Sequence, residues 1–386
     1  MTQQQLSEDP TEIKPIKPRE TTPLTSAERK AVARDADSSR SVSEHSRAHP
    51  LDQAPHSRRW LKSLSVRRVS AVYLWVAFLI LFSIITPSTF LTATTFRLVF
   101  SQGVVTCLLA LAFLIPLAAG VYDLSIGAVM SLSLAISVYL QIHSGLAPGL
   151  GAVVAVGASA CIGWMNGLIV VRLRVNSFIA TLGTSQVLLA VVLLISNNQQ
   201  LIGSFPNSWS NIGNGDFLKV PIVVWVLLAI AVLLWYVFEF TRIGRYLFAT
   251  GGNPDAARLS GVKTERTIWS AFVASGAVAG LAGIVYSMQT GLFSADTGPG
   301  YLFPAIAAVF LGASQLSQRP NVWGTLIAYF ALAFGIQGLV LSASSASVWS
   351  QPLFQGVSLI VAVALASRPA VRKLREARGP KGQETS

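Results

Sequence analysis

A chain of 386 residues that is 52% apolar, only 12% charged and +12 in net charge is not an ordinary soluble enzyme, in which charged residues make up about 25%. The charges are segregated as well: residues 1–68 hold 13 Lys/Arg and 9 Asp/Glu, residues 368–386 hold 6 and 2, and the 299 positions between hold only 10 and 6. So dry a middle reads as an all-α polytopic membrane protein, and basic residues gathered at span ends and in the tails follow the positive-inside pattern rather than a nucleic-acid surface.

Residues 1–67 are rich in Ser, Pro, Thr, Arg and Glu and carry no helical stripe of apolar residues, which reads as a disordered cytoplasmic N-terminal tail. The start of the chain is too polar for a secretory signal. Arg58, Arg59, Lys62, Arg67 and Arg68 then flank the first apolar run, where they hold the N-terminus inside and meet anionic lipid. A transmembrane domain follows over 68–368, and residues 369–386 form a basic cytoplasmic C-terminal tail.

A helix needs about 20 residues to cross the hydrocarbon core. Cut at charged residues and turn clusters, the domain gives about ten predicted helices: 70–86, 95–119, 125–142, 149–171, 177–196, 220–240, 267–288, 301–316, 321–341 and 353–367. The eighth starts near Pro304 and is expected to be a partial crossing, and Arg97 is expected to snorkel to the outer surface. An even count with the N-terminus inside places Arg172, Arg174, the 241–266 loop, Arg319 and the C-terminal basic cluster on one side, so both termini are expected in the cytoplasm of a multi-pass protein.

Ten helices divide into two halves of five, the second starting on the opposite side, as in an inverted repeat. An acidic residue precedes the third helix of each half: Asp123 in Gly120-Val-Tyr-Asp-Leu-Ser-Ile-Gly127 and Asp296 in Ser294-Ala-Asp-Thr-Gly-Pro-Gly300. A carboxylate at membrane depth is costly and must be paired, capped or hydrated. Asp123 therefore has two readings, a cap held by Ser125 and the amides that open the third helix, or a polar group lining a solute pathway. Pro116 is expected to break the second helix and bring this turn deeper. Ser125, Asn166, Gln289 and Gln337, with Asp296, are further pathway candidates; buried amides equally serve as glue between helices. Gly163-Trp-Met-Asn-Gly167 and Gly276-Ala-Val-Ala-Gly280-Leu-Ala-Gly283 place small residues four apart, a pattern for close helix packing.

No catalytic residue set is present. The four histidines do not cluster, Cys107 and Cys161 both lie in apolar runs, no metal-ligand spacing occurs, and no Gly-rich phosphate loop exists to bind ATP. A secondary active transporter of a small polar solute is the alternative transport reading, but it needs coupling carboxylates that the membrane core largely lacks.

The polar stretch between the sixth and seventh helices stands apart. Asn253 suits an N-cap, Pro254 the first helical position, Asp255 the positive end of the helix dipole, and Gly261 a left-handed stop. About two turns lie between. So short a helix is unstable alone and needs a partner surface, either its own membrane domain or another protein. Ala256, Ala257 and Leu259 are expected to pack there, with Arg258 making a charged contact.

The segment Ala249-Thr-Gly-Gly-Asn-Pro-Asp-Ala-Ala-Arg-Leu-Ser-Gly261 closely resembles the cytoplasmic loop of ABC importer permeases of the ribose/xylose/arabinose class. Tyr122-Asp-Leu-Ser-Ile-Gly127 with Ala128-Val-Met130 is similar to an early motif of that family, although the family usually has two glycines before the motif, where this chain has Ala119-Gly-Val-Tyr122. Ala305-Ile-Ala-Ala-Val-Phe-Leu-Gly-Ala-Ser314 resembles a late motif. The resemblance implies a permease subunit without its own ATPase, in a bacterial inner membrane, importing a monosaccharide of the pentose or hexose class. It implies a cytoplasmic ATPase pair that carries ATP and Mg, an external or periplasmic sugar-binding protein, and a second permease copy, identical or paralogous. It makes Gly251, Gly252, Asn253, Pro254, Asp255, Ala256, Ala257, Arg258, Leu259, Ser260 and Gly261 the ATPase-coupling segment.

Overall fold

The computed structural model describes residues 70–202, 205–315, 319–342, 352–357 and 360. The two tails expected over 1–67 and 369–386 lie outside the described residues. The described elements are α1 Ser70–Ile85, α2 Ala93–Ala118, α3 Ile126–Ser144, α4 Pro148–Arg172, α5 Ser177–Ser196, β1 Leu201–Ile202, α6 Asn207–Asn214, β2 Asp216–Phe217, β3 Val220–Pro221, α7 Ile222–Phe240, α8 Arg242–Gly252, α9 Pro254–Leu259, α10 Thr264–Thr290, β4 Leu292–Phe293, α11 Thr297–Gln315 and α12 Val322–Ser342.

Nine of the ten expected spans coincide with one helix each, within four residues at either end. The tenth falls on residues of which 352–357 and 360 are helical and the remainder are outside the description. Among the described residues seven helices (α2, α3, α4, α5, α7, α10 and α12) are long and apolar enough to cross a membrane, and α1 and α11 are shorter apolar helices. The eighth expected helix begins four residues earlier than expected. It starts at Thr297 and runs through Pro304, which lies inside α11.

The core is built around α2. Of its most apolar stretch, 78% is buried, against 17% for α5 and 22% for α7. Val104, Leu108, Leu109, Leu111 and Leu114 of α2 are fully enclosed. The peripheral helices turn Ile179, Val187, Leu194, Leu233 and Tyr236 outward, an apolar surface suited to lipid. Phe90, Phe96, Phe100, Phe330 and Phe334 interlock α2 with α12 through tilted and edge-on ring contacts.

The small-residue patterns do what their spacing suggests. α10 packs along α4, α2 and α3. A methyl group on Gly163 would overlap the carbonyl of Phe272, and one on Gly276 would overlap that of Ser159, so α4 and α10 cross backbone to backbone.

The loop between α5 and α7 has structure of its own. α6 lies against the end of α10, with Trp209 buried and its indole Nε1 donating to Ser287 Oγ at 3.3 Å. β1 pairs antiparallel with β4, Leu201 opposite Phe293, and β2 with β3. Arg97 does not simply snorkel. It forms an ion pair with Asp216 at 2.9 Å and donates to the Asn214 carbonyl at 3.2 Å, because the β2–β3 turn brings an acidic partner over the start of α2.

Candidate functional site

Two polar interruptions of the apolar chain were singled out by sequence, the turn around Asp123 and the segment 251–261. The turn begins where α2 ends. Pro116 does not break α2, which continues to Ala118. The stop is made two residues later. Gly120 adopts φ +79°, its amide donates to Leu117 O at 3.0 Å, and the Val121 amide donates to Pro116 O at 3.1 Å. This pair of bonds is a glycine-terminated Schellman stop, in which the left-handed residue has no Cβ to clash.

The next residues enter the protein. Asp123 is 1% exposed and Ser125 is fully buried. Asp123 Oδ1 accepts from the Ser125 amide at 3.1 Å and from Ser125 Oγ at 2.6 Å, and Oδ2 accepts from Ser275 Oγ of α10 at 2.8 Å. Asn166 Nδ2 of α4 donates to Ser125 Oγ at 2.8 Å. The Leu124 amide donates to Thr181 Oγ1 and the Tyr122 amide to Ser177 Oγ, both on α5. Every donor on the carboxylate is neutral, and among the described residues no Lys, Arg or His pairs with it. The charge is met instead by three hydrogen bonds and by the positive end of α3, which starts three residues on.

The cluster lies inside the helical layer. Thr181 is four residues into α5, Asn166 six from the end of α4 and Ser275 eleven into α10. At 1.5 Å per residue these are depths of about 6 to 16 Å from the helix ends. Asp123 thus sits at a junction of four helices, its carboxylate held by Ser125 and Ser275. One valence is left over. Asn166 is fully buried, and its Oδ1 has no partner.

Of the pathway candidates, Asp123, Ser125 and Asn166 come together and the others do not. Gln289 sits near the end of α10, its Nε2 donating to the carbonyl and hydroxyl of Ser101 on α2. Asp296 is exposed beside the start of α11, and Gln337 is half-buried on α12 without a side-chain hydrogen bond among the described residues. Sequence reading missed Ser275, Thr181 and Ser177. The signal for Ser275 was its position directly before the glycine run of α10, which puts a small hydroxyl on the face that approaches α4. Among the described residues no three His, Cys, Asp or Glu side chains gather where they could hold a metal ion.

The second segment lies outside the helical layer. The loop expected over 241–266 contains two helices. α8 is amphipathic, burying Gly244, Leu247 and Thr250 and exposing Arg242, Arg245 and Tyr246. α9 follows after a sharp bend at Asn253, whose Oδ1 accepts from the amides of Asp255 and Ala256 at 3.1 and 3.0 Å. The stop repeats that of α2. Gly261 has φ +84°, its amide donates to Arg258 O, and the Val262 amide donates to Ala257 O. Gly251 and Gly252 belong to the end of α8, not to α9.

Ala257 is 6% exposed and seats α9 on its own chain, one of the two partner surfaces expected for it. The outward face consists of Asp255, Ala256, Arg258, Leu259 and Ser260, with Leu259 91% exposed. Arg258 and Asp255 are 3.9 Å apart and both open to solvent, so their pairing contributes little.

Comparison with known proteins agrees with this layout. The family described as "Branched-chain amino acid transport system / permease component" matches residues 96–365, from Phe96 near the start of α2 through α12, with both polar segments. The fructose import permease protein FrcC of Rhizobium meliloti is 34% identical over 299 residues, covering 74% of this chain and 81% of the relative. The ribose import permease protein RbsC of Escherichia coli K12 is 31% identical over 299 residues, covering 75% and 91%. The D-allose transport system permease protein AlsC of the same organism is 30% identical over 288 residues, covering 74% and 87%. No solved structure matches the chain. With seven helices among the described residues fit to span a bilayer and a family match over most of its length, this chain is a multi-pass membrane protein that belongs to the permease-component family of transport systems.

Proposed function

We propose that the chain is the membrane-spanning permease subunit of an ATP-driven importer for a monosaccharide of the pentose or hexose class. The solute class rests on relatives named for fructose, ribose and D-allose. The observation that carries the ATP-driven reading is α9. It is capped at both ends by its own residues, seated by Ala257, and still leaves Leu259 almost fully exposed beside Ala256 and Arg258. An apolar side chain projecting from a short polar helix is a contact awaiting a partner, and a cytoplasmic ATPase is the partner this reading supplies.

In this arrangement ATP and Mg bind the ATPase subunits, a binding protein delivers the sugar from outside, and a second permease copy completes the pathway. Both termini and α9 lie in the cytoplasm of a bacterial cell, with α6 and the two short strand pairs outside. The Asp123 cluster fixes the α2–α3 break between the two faces. A secondary transporter would have no use for an exposed, self-capped α9.

The test is purification of the tagged chain with its ATPase and assay of ATP hydrolysis with binding protein and ribose or fructose. Leu259→Glu is expected to insert normally and to lose the ATPase or its sugar-stimulated hydrolysis. Retention of both at wild-type levels would overturn the docking role. Orientation is checked in a chain with Cys107 and Cys161 replaced: Asn211→Cys should label from outside, and Ser260→Cys only after permeabilisation.

A further inference from the structure

The two polar segments touch each other, and they do so through bare backbone. A Cβ built on Gly251 would overlap the carbonyl oxygen of Ala118 and lie 3.0 Å from the Gly120 amide and 3.1 Å from the Ala119 carbonyl carbon. Reciprocally, a Cβ on Gly120 would lie 3.0 Å from Gly251 Cα. The last turn of α8 therefore rests directly on the stop of α2. From Gly251 only Gly252 and the bend at Asn253 separate this contact from α9, and from Gly120 only Val121 and Tyr122 separate it from Asp123.

The contact is held by shape. Among the described residues no hydrogen bond joins 242–252 to 118–125, and the neighbouring Thr250, 2% exposed, leaves its hydroxyl without a partner. Gly120 and Gly251 are themselves exposed at the edge of this contact, and backbone atoms this close yield little to compression and so pass displacement across it. Beyond it, the hydrogen bonds of Asp123 to α10, of Ser125 to α4 and of Leu124 to α5 tie the break to three further helices.

Resting on the importer reading above, we infer that Gly251 is a positioning residue that carries movement of α9 into the α2–α3 break, so that the break and its Asp123 cluster shift when the ATPase closes. The route is backbone against backbone. It needs glycine at 251 because any side chain would hold α8 off the Ala118–Gly120 turn.

The experiment uses the full chain co-purified with its ATPase and reconstituted in lipid. Amide hydrogen exchange over Gly120–Ser125 is compared with and without ATP plus vanadate. In the wild type the trapped state should change exchange at these amides by about fivefold or more, a measure of altered local opening. Gly251→Ala should lose the exchange response, read on the complexes that retain the ATPase. Gly183→Ala, a helical glycine whose Cβ would meet nothing within 4 Å, should respond as wild type. A glycine inserted between Gly252 and Asn253 lengthens the arm without touching the contact, and it should also abolish the response, which keeps the test decisive should Gly251→Ala misfold. A wild-type response in Gly251→Ala or in the insertion variant would overturn the inference while leaving the importer reading intact. Failure of the wild-type chain to retain any ATPase would remove the importer reading and this inference with it.

Discussion

The turn around Asp123 and the segment around α9 use the same local chemistry and end in opposite environments. Each begins or ends with a glycine Schellman stop, Gly120 for α2 and Gly261 for α9. Each has an acidic or amide side chain whose oxygen accepts a backbone amide two residues on, Asp123 from Ser125 just before α3 and Asn253 from Asp255 in α9. The difference is what else those oxygens meet. Asn253 accepts only from its own segment, and its surroundings are water-accessible. Asp123 also accepts from a helix 152 residues away, in a place 1% exposed. The same cap is thus a local device in one place and a structural joint in the other, because burial converts each unmade bond from a small loss into a desolvation cost.

That contrast predicts a ranking. Asp123→Ala should be the most damaging of the four changes. It leaves the hydroxyls of Ser125 and Ser275 and the Ser125 amide without their acceptor, and about 1–3 kcal/mol is expected for each buried group left unmade. Thermal unfolding of the purified chain in detergent should show a large loss of stability, and Asp123→Asn, which keeps the shape, a smaller one. If Asp123→Ala unfolds like the wild type, the joint is not structural and the contrast collapses.

Ser275→Ala should come next. One of the three donors to the carboxylate is lost, at about 1–1.5 kcal/mol by the same measurement. It sharpens the comparison, since it removes only the long-range arm and leaves the local cap.

Asn253→Ala should weaken only its own helix. Loss of an N-cap costs about 1 kcal/mol, and here it should be read as faster amide exchange at Asp255 and Ala256 with the global unfolding transition unmoved. A shift of that transition comparable to Ser275→Ala would show that α9 is a joint as well. Leu259→Ala should have the smallest effect on the isolated chain, within about 0.5 kcal/mol, as expected for a surface position. Its 91% exposure leaves nothing to lose until a partner arrives.

The sequence was informative wherever a single segment carries the physics. Spans such as 177–196 and 321–341 were legible because nothing but a helix satisfies so long an apolar backbone in hydrocarbon, and α5 and α12 occupy 177–196 and 322–342. Asn253-Pro254-Asp255 and Gly261 announced α9 because capping depends on residues a few positions apart. α8 was missed for the opposite reason: its buried face of Gly244, Leu247 and Thr250 has meaning only against the helices it packs on, α7, α10 and α2.

What the sequence alone determined was therefore the class of molecule, the helices and the two polar breaks, since apolar length, charge placement and cap chemistry are local properties. The tertiary structure decided which polar residues act together. Nothing in the spacing of Asp123, Asn166 and Ser275 joins them; they meet because Gly163 and Gly276 let α4 and α10 cross backbone to backbone. It also decided that Ala257 faces inward and Leu259 outward, and that Gly251 rests on Gly120. Such pairings follow from close packing among distant segments, which binds residues by shape and leaves no periodicity in the chain to reveal it.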